Sequence, residues 1–189
     1  LTLPREQIED SLRAAAAYQG NQDGAKVPAV HIEGPYINAA CAGAQNPAYV
    51  RPPDVDELLA LHAIFPVGIV SIAVETEGAI PFVRAMRENG IVVSAAHTAA
   101  TYAQFLEAKE AGLGHLTHFC NQMTPLHHRE IGLVGAGLLD ENVMIELICD
   151  TIHLAPDMLR VVFAKKPLSQ LMVITLSLIH ISEPTRPLH

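Results

Sequence analysis

Apolar residues recur along this chain in six short runs, and nearly every run ends in polar residues. They read "VPAVHIEGPYI" (27–37), "VGIVSIAVE" (67–75), "IVVSAAHT" (91–98), "GHLTHFCN" (114–121), "VMIELICD" (143–150) and "LMVIT" (171–175). Runs this short, bounded by loop residues, predict buried strands rather than helices. Helical spacing fills most of the gaps. The first helix opens around Leu3–Asp10, where Pro4 suits a first-turn position and Ile8, Leu12 and Ala15 or Ala16 share one face, with Gly20 as its stop. Further helices are predicted over Asp54–Ala63 with Asp54 as N-cap, Ala79–Asn89 stopped by Gly90, Thr101–Ala111 stopped by Gly112, and Pro156–Phe163.

Continuous apolar strands alternating with helices predict a parallel sheet covered on both faces, the α/β class. Glu75, His97, His118 and Asp150 each fall at or near the C-terminal end of a predicted strand. A (β/α)8 barrel carries its active site on that face. An open doubly wound sheet has the same polarity. The first strand is not followed by the Gly-x-Gly-x-x-Gly turn of dinucleotide folds. No internal repeat or low-complexity segment interrupts the pattern.

Composition narrows the class. Half of the 189 residues are hydrophobic and 17% are charged, enough for a large core and unlike a disordered chain. The net charge is −8 without a basic run, which argues against a nucleic-acid partner. Three cysteines without CxxC spacing, and no secretory signal, point to a reducing, cytoplasmic compartment. No apolar run is long enough to span a bilayer, so no membrane partner is expected. The chain opens on Leu1, so its natural start is expected upstream.

Side chains from three neighbouring strand ends can converge on one point, because adjacent strands lie about 5 Å apart. Glu75, His97 and His118 therefore offer one carboxylate and two imidazoles, a donor set suited to a divalent metal such as zinc or iron. On spacing alone the same residues read sooner as strand-end polar groups with separate hydrogen-bond partners, because they are too scattered to form a compact signature. Glu33 could be taken for a ligand, but followed by Gly34-Pro35 it reads sooner as a loop-shaping residue or one behind the ligands; Cys120 could be a nucleophile or ligand and reads sooner as a small packing residue. Asn121 and Gln122 could present amide groups to a substrate. Arg129, in the loop "TPLHHREIG", suits an anionic substrate group or a solvated loop. His153 beside Asp150 reads as a structural histidine or a substrate contact. His62, His115 and His127 have no assigned partner and are expected to be structural or exposed.

The stretches "HIEGPYIN", "GAQNPAYV", "VSAAHT", "LTHFCNQMTPLHHREIGLVGAGLLD" and "LICDTIH", in register to Thr175, resemble the N-acetylglucosamine-6-phosphate deacetylase family of the amidohydrolase superfamily. The resemblance implies a distorted (β/α)8 barrel, usually with a small β-domain formed from the two chain ends. It implies removal of acetate from N-acetylglucosamine 6-phosphate to give glucosamine 6-phosphate. By motif, Glu75, His97 and His118 match the family's metal ligands. Ala44 matches a backbone substrate contact, and Gln45 sits where members carry His or Gln. Asn121 and Gln122 match substrate-binding positions, the second commonly Ala in the family. Arg129 matches the residue that holds the sugar phosphate, across a homodimer interface. Asp150 and His153 match the next substrate-contacting strand end. A related amino-sugar phosphate, such as the galactosamine isomer, is the alternative substrate, and a non-catalytic metal- or sugar-phosphate-binding protein the alternative class.

In that family the general base is an Asp directly after a strand like "LMVIT"; here Leu176 stands at that position. From there to His189 the resemblance ends, and "LSLIHISEPTR" looks like translated sequencing adapter. The expected organisation is a partial barrel over 1–175, lacking the first and last strands, and a non-native tail over 176–189. The activity is accordingly expected of the full-length parent, and the 189-residue chain as written is expected to be inactive.

Overall fold

A computed structural model describes residues 2–19 and 24–175. Gly20, Leu176 and the remainder of the proposed tail lie outside the described residues. The six predicted strands are present as β1 (Val30–Glu33), β2 (Val67–Ile72), β3 (Val92–Ala95), β4 (His115–Leu116), β5 (Met144–Ile148) and β6 (Leu171–Ile174). They form one sheet in which β1 to β6 follow chain order, and each neighbouring pair is parallel. A doubly wound sheet reverses its order at a switch point; this one does not. It is an arc of a (β/α)8 barrel.

The helices are α1 (Arg5–Tyr18), α2 (Val55–Ile64), α3 (Ala79–Glu88), α4 (Tyr102–Ala111), α5 (Gly132–Leu139) and α6 (Pro156–Lys165). Asp54 caps α2 as expected, accepting from Glu57 N. Thr101, expected as the first residue of α4, is instead its N-cap and closes a capping box with Gln104. Pro4 sits at the N-cap of α1 rather than inside its first turn. Helix α5 has no counterpart in the sequence expectations. Its sequence, "GLVGAGLL", lacks a polar face, and its first six residues are buried. A helix apolar on all sides shows no amphipathic period to read. Among the described residues, no helix is long and apolar enough to cross a membrane.

Alternation along the strands separates two faces. Ile32, Val70, Ile72, Val93, Ala95, Leu116, Ile145 and Leu147 join the helix residues Leu58, Phe82, Met86, Phe105 and Leu133 in one apolar cluster. The residues between them are polar and bond to one another. His31 Nε2 meets Ser71 Oγ at 2.6 Å, and Ser71 and Ser94 each meet Thr117 Oγ1 at 2.7 Å. Ser94 Oγ also meets His115 Nδ1 at 2.8 Å. The hydrophobic core thus lies between sheet and helices, and the other face of the sheet carries a hydrogen-bonded polar layer.

Gly132 opens α5 with φ +59, and an added Cβ would stand 2.7 Å from the carbonyl oxygens of Thr124 and Pro125. Both the left-handed backbone and the backbone neighbours oppose a side chain there. Gly132→Ala is expected to lower stability by about 1–3 kcal/mol, read as a reduced urea midpoint.

Candidate metal centre

The polar residues singled out at the strand ends sit just past them, where the backbone is free to turn. His97 follows the end of β3 by two residues and His118 follows the end of β4 by two. Both adopt left-handed conformations, with φ of 46° and 35°. Such backbone is uncommon outside glycine and is kept only where surroundings fix it. Here they do. Asn38 N donates to His97 O at 3.0 Å, and His118 N donates to Glu146 Oε2 at 3.2 Å. Phe119 N adds a bond to Glu146 O at 2.8 Å.

This geometry brings the two imidazoles together. Their ring centroids are 4.8 Å apart and edge-on, and the two Nε2 atoms are 3.1 Å apart. The carboxylate that meets them is that of Glu33, not Glu75. Glu33 Oε1 lies 2.7 Å from His97 Nε2 and 3.2 Å from His118 Nε2. Among the described residues, Glu33, His97 and His118 form the one cluster whose ligand atoms are close enough to share an ion. The expectation for Glu75 is corrected accordingly. Its carboxylate accepts from Asn38 Nδ2 at 2.8 Å, from Ala99 N at 2.6 Å and from the Thr98 hydroxyl.

Strand register supplies the reason. Ser71, Ser94 and His115 lie side by side across β2, β3 and β4. His97 and His118 are each three residues beyond that rung, whereas Glu75 is four beyond it, in the turn that follows β2. Glu33, the last residue of β1, pairs with Ser71 on the rung itself, and its long side chain reaches the imidazoles. Its position as the terminal residue of an apolar strand was the available signal; the Gly-Pro that follows drew attention to the loop instead.

The three residues suit a divalent cation. His97 Nδ1 donates to the carbonyl oxygen of Cys41 at 2.8 Å, which turns Nε2 toward Glu33 and His118. Two imidazole nitrogens crowding one carboxylate oxygen are best reconciled by a positive charge among them. His97 and His118 are buried, and Glu33 retains 19% of its side-chain surface. Burial opposes ionisation of Glu33, but hydrogen bonds from His118 and His97, and their charge, outweigh it and hold its carboxyl far below the ordinary range.

Other expected site residues are distributed around this centre. Gln45 Nε2 donates to the same Glu33 oxygen at 3.0 Å, while its Oε1 accepts from Thr2 N at 2.9 Å. Ala44 is exposed beside it. Asn121 Nδ2 caps the carbonyls of His118 and Phe119, and Gln122 O accepts from Thr98 N at 3.0 Å, tying the two ligand loops together. Arg129 is exposed on a short hairpin, its guanidinium 3.0 Å from His128 Nε2. Asp150 and His153 pair at 2.6 Å. Arg129 and the Asp150–His153 pair thus bond within their own loops. His62 is structural, accepting from Val67 N at 3.1 Å.

His115 is also structural, but in a way its lone position in sequence does not suggest. It lies in the polar layer with Nε2 3.7 Å from Glu146 Oε1, and His31 Nδ1 lies 3.7 Å from the same oxygen. Burial pushes both histidines down to about 4 and raises the Glu146 carboxyl. Burial likewise pushes the Cys120 thiol up to about 12, which fits packing rather than reactivity.

Comparison with known proteins adds an independent line. No family model matches the chain. It is 35% identical over 162 residues to N-acetylglucosamine-6-phosphate deacetylase of Bacillus subtilis (strain 168), covering 85% of this chain and 41% of that protein. It is 38% identical over 159 residues to N-acetylgalactosamine-6-phosphate deacetylase of Escherichia coli O157:H7, covering 82% and 42%. The crystal structure of the Thermotoga maritima N-acetylglucosamine-6-phosphate deacetylase superposes with a TM-score of 0.84 at 35% identity, over 94% of this chain and 48% of that one. A Mycobacterium smegmatis N-acetyl-D-glucosamine-6-phosphate deacetylase variant, solved with N-acetyl-D-glucosamine-6-phosphate, gives 0.87 at 29% identity, over 94% and 46%. The chain spans less than half the length of these relatives.

Two outcomes follow. Glu33→Gln, His97→Ala and His118→Ala should each abolish or severely weaken uptake of zinc, read as metal per chain after dialysis. In metal-free protein, the unfolded chain binds protons at His31 and His115 from about 6.5 downward, while the folded chain resists until about 4. Stability should therefore fall as pH drops through that window. His115→Asn should flatten the slope of the urea midpoint against pH.

Proposed function

Because the chain belongs to the N-acetylglucosamine-6-phosphate deacetylase family, we propose that it forms the metal-binding part of an amide hydrolase that releases acetate from N-acetylglucosamine 6-phosphate. The observation that carries this reading is the convergence of Glu33 with His97 and His118 at the C-terminal end of the barrel strands. When bound, a divalent cation such as zinc or iron would supply Lewis-acid chemistry suited to a carbonyl and to activation of water near neutral pH.

The chain's own residues take the remaining roles. Glu33, His97 and His118 hold the cation. The Cys41 carbonyl fixes the His97 tautomer, and the Gln45 amide orients the Glu33 carboxylate. Ala44, Asn121 and Gln122 line the approach of the acetamido group. Arg129 meets the sugar phosphate with a guanidinium suited to that anion, from one subunit of a homodimer to the next. Asp150 holds the Nδ1 proton of His153, which frees its Nε2 to accept from a sugar hydroxyl. The proton acceptor expected at position 176 lies outside the described residues. The free cysteines Cys41, Cys120 and Cys149 accord with a cytoplasmic setting.

The galactosamine isomer is a second reading, supported by the 38% identity to an N-acetylgalactosamine-6-phosphate deacetylase. Acetate release tests both. A protein that carries Leu176→Asp and continues through the rest of the barrel should deacetylate N-acetylglucosamine 6-phosphate, with higher kcat/KM than for the galactosamine isomer. The 189-residue chain itself should release no acetate. Absence of turnover on either sugar by the completed protein would leave a non-catalytic binder.

A further inference from the structure

We propose that Glu75 is a positioning residue for the His97 imidazole, holding the loop after β3 in the shape from which that ring meets Glu33 and His118. The inference rests on the metal-centre reading and gives the displaced carboxylate a definite task. Glu75 Oε1 accepts from Asn38 Nδ2 at 2.8 Å and from Ala99 N at 2.6 Å, and Oε2 accepts from the Thr98 hydroxyl. Both oxygens are therefore engaged by the two residues that follow His97 and by Asn38. Asn38 closes the circuit, because its own N–H donates to the His97 carbonyl at 3.0 Å. The chain on the C-terminal side of His97 is thus tied to one carboxylate side chain.

That restraint has something to oppose. His97 is a non-glycine residue at φ 46°, a conformation a β-carbon disfavours. If the loop relaxes, the ring leaves the point where its Nε2 stands 2.7 Å from Glu33. Hydrogen bonds to a carboxylate are stronger than those between neutral groups, which suits Glu75 to the task better than an amide would be. The Cys41 carbonyl orients the ring about its own axis, while Glu75 holds the backbone beneath it.

Cobalt(II) titration of the complete chain tests this, with circular dichroism confirming that each metal-free variant is folded. Glu75→Gln should bind one Co2+ per chain about 10–100-fold more weakly than wild type. Its visible absorption bands should keep the wild-type positions, since the three ligands are unchanged. Thr98→Val, which removes one of the donors, should weaken binding by less, and it carries the test if Glu75→Gln does not fold. Wild-type affinity in both variants would overturn the clamp. Shifted bands in Glu75→Gln would make Glu75 a ligand and also overturn it. A folded wild-type chain that takes up no Co2+ would overturn the metal centre itself.

Discussion

Glu33 Oε1 faces two buried imidazole nitrogens, and the structure around it is organised to keep that meeting in place. A carboxylate taken partly out of water is costly unless it is paired, and here the pairing outweighs the burial. The same oxygen also accepts from Gln45. Each partner arrives from a different loop: Glu33 from the end of β1, Gln45 from the segment after it, His97 and His118 from beyond β3 and β4. The centre therefore exists only when at least three strands are in correct register.

The barrel arc divides its labour between two faces. On the helix side, alternate strand residues pack against α2, α3, α4 and α5 as an ordinary apolar core. On the other side, His31, Ser71, Ser94, Thr117 and His115 form a continuous hydrogen-bonded layer, with Glu146 close to both histidines. A buried polar network of this kind constrains its members more than apolar packing does, because each group needs its partner. Glu146 extends that constraint upward by accepting the backbone N–H of His118.

The two ligand loops are built alike. Each imidazole sits two residues past its strand in a left-handed conformation, and each has an acidic side chain bonded to the adjoining backbone: Glu75 at Ala99 and Glu146 at His118. The bond from Thr98 N to Gln122 O then joins the loops to one another. Acidic residues near the centre thus fall into two kinds. Glu33 meets the imidazoles directly, and Glu75 and Glu146 hold the backbone that aims them.

The amino-acid sequence by itself determined the strands, most of the helices and their caps, because apolar runs, Asp54, Thr101, Gly90 and Gly112 act locally. It also marked His97 and His118, which stand out at strand ends. Helix α5 escaped because burial on every side erases the period that reveals a helix. The choice between Glu33 and Glu75 was likewise not local. Glu75 ends an apolar run and reads as a strand-end carboxylate, whereas Glu33 stands inside one, before Gly34-Pro35, and reads as a loop-shaping residue. Only the parallel register of β1 to β4, together with the turns that follow the strands, sets which carboxylate reaches the imidazoles. Tertiary structure made that decision through hydrogen bonds between residues 33, 97 and 118, whose separation along the chain no local pattern spans.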